Sequence, residues 1–146
     1  MKLGLISAIL GDLSFEEMID FLAECGLECV EVACWPKGKA ERRYAGVSHI
    51  DVDTLDDEKC AHILDYCQKK GVEISSLAYY PNTMDPDVEK RTAYIEHLHK
   101  LIDASAKLGV NMITTFIGRD PKKTVSQNLE LVKEIWPPIL DHAKEK

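Results

Sequence analysis

Three short segments concentrate the side chains able to do chemistry: CVEVACW (residues 29–35), SLAYYPN (76–82) and TTFIGRD (114–120). In the first, strand alternation sets Glu31 on the face opposite Val30, Val32 and Cys34. A carboxylate is costly to bury unless it is hydrogen-bonded. Glu31 is therefore either a substrate or network residue, or a carboxylate satisfied by polar groups of a neighbouring strand. Trp35 follows at the end of the run, as an aromatic wall for a ligand or as packing beneath a loop. The second segment delivers two phenols and an amide, Tyr79, Tyr80 and Asn82, which suit a polyhydroxylated ligand. Its other reading is a Pro81-Asn82 turn with both rings packed on neighbours. The third segment brings Arg119 beside Asp120; a guanidinium there grips a phosphate or carboxylate, or pairs with Asp120 at the surface. His49, in YAGVSHIDVD (44–53), has the chemistry of a ligand or general base. No second His and carboxylate stand at a local metal spacing, so no metal site is expected in this chain.

Repeated elements must carry these segments. The tetrapeptides GLEC (26–29), GVEI (71–74) and GVNM (109–112) each follow an amphipathic stretch and open an apolar run, as a helix C-cap glycine feeding a strand does. With the N-terminal run LGLISAIL, they predict strands over 2–8, 29–34, 72–78 and 110–117. Ser14-Phe-Glu-Glu17 is a capping box for a helix to about Cys25, with Phe15, Met18, Ile19, Leu22 and Ala23 on its inner face. A second helix follows the acidic run 51–58 and buries Cys60, Ile63, Leu64 and Cys67. Asp85-Pro86 predicts the N-cap and first residue of a third helix, with Ile95, Leu98, Ile102 and Ser105 inward. Thr124-Val-Ser-Gln127 opens a fourth, which Pro137-Pro138 should kink or interrupt, with Ile139 and Leu140 inward beyond.

The resulting order, βαβαβαβα, requires a parallel sheet with right-handed crossovers. Two α/β architectures fit: an open flavodoxin-like sandwich, and a (βα)4 half of a TIM (β/α)8 barrel, since a whole barrel takes about 250 residues. No Gly-rich phosphate loop follows the first strand. In both architectures ligands meet the C-terminal ends of the strands, where the three opening segments lie.

The formal net charge of −7 disfavours a nucleic-acid backbone or an anionic membrane as partner. Five cysteines without a C-x-x-C pair read as reduced thiols of a cytoplasmic protein. His62, His97, His99 and His142 read as solvated. The acidic run 51–58 lacks the glycine and terminal glutamate of an EF-hand, and suits a helix start.

CVEVACW, the loop WPKGKAERRYAGVSHIDVD, EISSLAYYPN and MITTFIGRD together resemble the N-terminal half of the sugar phosphate isomerase/epimerase family, whose fold is the xylose isomerase-like TIM barrel, related to endonuclease IV. The resemblance covers essentially the whole chain. It implies a sugar or sugar phosphate as the ligand, and the residues read above as its contacts at the strand ends and in the long loop are Glu31, Trp35, His49, Tyr79, Tyr80, Asn82 and Arg119. It also implies a divalent metal (Mn, Mg or similar) in the full-length enzyme, with carboxylates moving protons between adjacent carbons. In epimerase members the metal ligands come from strands five to eight, beyond this sequence, so no cofactor is expected in the chain itself and the catalytic base is unassigned. Endonuclease IV places zinc-binding histidines after strands three and four; YYPN and FIGRD contain none, which disfavours DNA repair.

The expectation is thus a single (βα)4 domain over residues 1–146, part of a longer isomerase or epimerase and inactive alone. Its exposed sheet edges would invite a homodimer. Two alternatives stand beside it: a non-catalytic half-barrel that self-assembles, and an open α/β binding module.

Overall fold

The computed structural model describes residues 1–37 and 43–146, so positions 38–42 of the loop after the second strand lie outside the described residues. Four strands, β1 (Gly4–Ile6), β2 (Cys29–Ala33), β3 (Glu73–Ala78) and β4 (Ile113–Thr114), alternate with four helices, α1 (Phe15–Glu24), α2 (Asp57–Lys70), α3 (Val88–Leu108) and α4 (Val125–Lys144). All pairings are parallel and the sheet order is β1-β2-β3-β4. A doubly wound sandwich reverses its strand order partway; consecutive order with right-handed crossovers sets every helix on one face. The architecture is that of a half-barrel.

The core lies between that face and the helices. Val30, Val32, Cys34 and Leu77 join Met18, Ile19 and Leu22 of α1, Cys60, Ile63 and Cys67 of α2, Leu98 and Leu101 of α3 and Ile139 of α4 in one buried cluster. Burying each large aliphatic side chain contributes about 1.5–3 kcal/mol. Among the described residues the opposite, concave face carries no helix. Glu31 and Ser75 line an open hollow there, beside Gly4, Ile6 and Tyr80.

Local chemistry explains most boundaries. Both capping boxes form, Ser14 with Glu17 and Thr124 with Gln127. The three junction glycines, Gly26, Gly71 and Gly109, adopt left-handed φ of 66–72° as helix-to-strand connectors. The third helix starts later than Asp85-Pro86 predicts: Asp85 instead accepts the Asp87 N–H in a turn, and Asp87 caps α3 through the Glu89 and Lys90 N–H groups. Leu64 is exposed, because the stripe Cys60-Ile63-Cys67 uses a narrower arc of α2.

Pro137 and Pro138 do not interrupt α4. The carbonyls they leave without a donor belong to Lys133 and Glu134, both exposed along with the prolines, on the side of the helix open to water. Ile139 is buried and Leu140 is not. The edge strands are shorter than the apolar runs. β1 ends where Ser7–Leu10 turns into a 3-10 helix, and β4 pairs with β3 through only two residues.

Candidate functional site

The concave face centres on Glu31. Its register partner in β3 is Ser76, reached through a bulge after Val30 that leaves Ser75 unpaired. The Ser76 hydroxyl donates to Glu31 Oε2 at 3.1 Å, and the Tyr80 hydroxyl donates to Oε1. Each carboxylate oxygen therefore keeps a lone pair available towards the hollow. Burial, and then the bond to Glu31, raises the Tyr80 pKa, so the phenol stays protonated and donating. The Tyr80 ring lies 4.7 Å from that of Phe116, which projects from the end of β4 on the same face.

Arg119 is positioned through its backbone. The Asn82 side chain accepts the Arg119 N–H at 2.8 Å and donates to the Arg119 carbonyl at 2.9 Å, and Thr83 donates to the Ile117 carbonyl at 2.7 Å. This clamp ties the loop after β3 to the loop after β4. Among the described residues the Arg119 guanidinium makes no ion pair with Asp120. That carboxylate is buried and bonds the Lys122 N–H, with Lys123 Nζ at 3.9 Å. The exposed guanidinium stands at the rim.

The other candidate residues support the mouth from behind. Tyr79 shares the helix-facing side with Leu77, is 1% exposed, and packs edge-on between Trp35 at 4.9 Å and His97 at 4.6 Å. Burial pushes its phenol pKa well up. His97, read from sequence as solvated, is buried on α3 and donates from Nε2 to the Cys34 carbonyl at 2.8 Å. His49 joins the long loop to the end of β1. Ser7 accepts the Ala33 N–H at 2.8 Å and donates to His49 Nδ1 at 2.9 Å, while Nε2 donates to the Leu10 carbonyl at 3.2 Å. This network fixes the neutral tautomer.

The structure thus brings Glu31 with Tyr80, Asn82 with Arg119, and Trp35 with Tyr79, while His49 stands apart with Ser7. Sequence reasoning missed Ser76, Phe116 and Ser7. Ser76 was findable, since alternation sets it on the face of Tyr80; no spacing signals the other two.

Desolvation lowers the His49 pKa below the ordinary 6.5, and burial does the same to His99. The unfolded chain then binds protons more readily than the folded one, so stability is full above pH 6.5 and falls as pH drops through the folded values. The lowered carboxylates Glu16, Asp20, Asp51 and Asp103 act only below their ordinary range of about 4. Urea midpoints should therefore fall between pH 7 and 5. His49→Gln, which keeps a donor for Leu10, should flatten that slope; an unchanged slope would place the proton elsewhere.

A family profile described as xylose isomerase-like TIM barrel matches residues 19–146. The chain belongs to that family. Its fold is similar to a xylose isomerase domain protein from Planctomyces limnophilus (TM-score 0.66, 14% identity, 99% of this chain and 50% of that one). It is similar also to D-psicose 3-epimerase with D-tagatose from Clostridium cellulolyticum H10 (TM-score 0.62, 18% identity, 98% and 50%). A third likeness is to the IolI protein with a bound zinc atom (TM-score 0.66, 14% identity, 99% and 48%). The chain spans about half the length of these three structures. No match was found among proteins of curated function. Among the described residues no group of three or more His, Cys, Asp or Glu side chains is arranged to hold a metal. An ion like the zinc of the IolI protein finds no ligand set in them. No helix among them is long and apolar enough to cross a membrane.

Proposed function

We infer that this chain is the substrate-facing, N-terminal half of a metal-dependent sugar or sugar-phosphate isomerase or epimerase of the cytoplasm, with its metal ligands on strands outside the chain. The observation that carries this reading is the Glu31 carboxylate, held at the sheet's open face by the Ser76 and Tyr80 hydroxyls with acceptor capacity to spare. A helix-free concavity lined by a carboxylate, a phenol and backbone suits a ligand that offers several hydroxyls. Arg119, at the rim, suits a phosphate or carboxylate end. Within this reading Glu31, Tyr80 and Arg119 touch the sugar. Trp35, Tyr79, His49 and Asn82 hold the walls that present them. The family likeness to D-psicose 3-epimerase supports the substrate class, and the zinc of the IolI protein supports a divalent metal for the complete enzyme. The chain alone binds without turnover.

The test is a titration of the chain with D-tagatose, followed by calorimetry or chemical shifts. Glu31→Gln preserves shape and keeps partners for Ser76 and Tyr80 but removes the charge. It should weaken binding about tenfold or more, the scale of a charge-assisted hydrogen bond. An affinity unchanged by Glu31→Gln would remove the carboxylate from the site and with it this reading.

A further inference from the structure

Away from the concave face, four titratable side chains meet where α4 packs on α3. The rings of His99 and His142 lie 4.6 Å apart, tilted by 31°. His142 donates from Nε2 to Asp103 Oδ1 at 3.0 Å, and Lys146 Nζ reaches the same oxygen at 3.1 Å. His99 differs: its Nε2 is buried and has no hydrogen-bond partner among the described residues. A nitrogen so placed is tolerable as a bare lone pair, whereas a proton on it would be a charge-bearing donor with nothing to receive it. The neutral ring, with its proton on Nδ1, is the form that fits.

Charges on both helices act on the pair. Burial, and then the charge of His142, lower the His99 pKa below the ordinary 6.5, against the opposing pull of Asp103 and Glu96. Lys100, the next residue, is taken up by Asp53 at 2.6 Å. Burial works against ionisation of Asp103, yet the bonds from Lys146 and His142 hold its carboxyl below the ordinary range, so it stays anionic in mild acid. One proton therefore has a seat, on His142 against Asp103. A second must go to a dry nitrogen on a ring that already faces an imidazolium, so the two rings titrate as a coupled pair.

Helix α4 is weakened near this contact. Pro137 and Pro138 delete two bonds of its ladder. The half beyond them, over an apolar groove lined by Met112, Trp136 and Leu140, is joined to the first half by fewer bonds and anchored to α3 through Asp103. We propose that His99 and His142 form a proton-operated clasp between α3 and α4, closed while at most one ring is charged and opened by the second proton. Linkage fixes the direction: the closed clasp prefers neutral His99, so closure is fully favoured above pH 6.5 and weakens as pH falls below it.

The test is amide hydrogen exchange of the full chain from pH 7 to 5, corrected for the intrinsic rate at each pH, together with the ring titration of His99 by NMR. Protection at Ala143 and Lys144, in the last turn of α4, should fall about fivefold more than at Val30 and Val32 of the core, the factor set by two like unit charges this close in water. The core amides carry the global loss that His49 shares. His99→Phe keeps a ring against His142 without a titratable nitrogen, and should abolish the difference. His142→Gln keeps a donor for Asp103, and should move the His99 titration to higher pH. Protection in α4 that tracks the core at every pH overturns the proposal. So does a local loss that survives His99→Phe, or a His99 titration that His142→Gln leaves unmoved. None of these readouts involves a sugar, so they stand apart from the outcome at the concave face.

Discussion

Gly118→Ala should destabilise the protein by about 2–4 kcal/mol, the range of a strained backbone combined with a steric clash. Gly118 sits at φ +79°, where a side chain is strained whatever the space. An added Cβ would also lie 2.1 Å from Asn82 Oδ1 and 3.1 Å from the Asn82 Cα and Thr83 N. The nearest atom is the oxygen that accepts the Arg119 N–H, so the substitution can be accommodated only by opening the clamp. Urea denaturation reads the loss. A double-mutant cycle separates its parts: in an Asn82→Ala background the nearest clash is gone, so Gly118→Ala should cost only the strain and the two backbone contacts. Equal costs in both backgrounds would show that the clamp does not set the position of this loop.

His97→Ala should cost about 3 kcal/mol, because it strands the Cys34 carbonyl in the interior and opens a cavity beside Tyr79. His97 is 6% exposed, and its ring backs the Tyr79 ring at 4.6 Å. Tyr79 in turn supports Trp35, so the loss should propagate to the wall above β2 and appear as a red shift in tryptophan emission. His97→Gln, which can still donate to a carbonyl, should recover part of the stability. A variant as stable as wild type would mean that the Cys34 carbonyl finds another donor.

The half-barrel was legible because its periodicities are local. Capping boxes at Ser14 and Thr124, glycines at the three junctions and apolar stripes at helical spacing each report on a few neighbouring residues. Alternation also assigned Glu31 to the face opposite the core, and both carboxylate oxygens are met by hydroxyls of β3 and its continuation. What sequence left open was set by contacts far apart in the chain. Asn82 reads equally well as a ligand amide or a turn residue until Arg119, 37 positions away, takes both ends of its amide. His97 looks like a flank residue of α3 until the Cys34 carbonyl lies above it. Asp85 and Asp87 compete for the same helix start, and only the bond from Asp87 N–H to Asp85 decides between them.

A map of backbone amide shifts on adding D-tagatose to the isolated chain tests directly whether the concave face holds a sugar. Saturable changes are expected at Glu31, Ser76, Tyr80, Phe116 and Arg119, on the concave face and its rim, and should be lost in Glu31→Gln. Changes confined to the groove beneath α4, or none while the sugar is in large excess, would contradict a sugar site on this face.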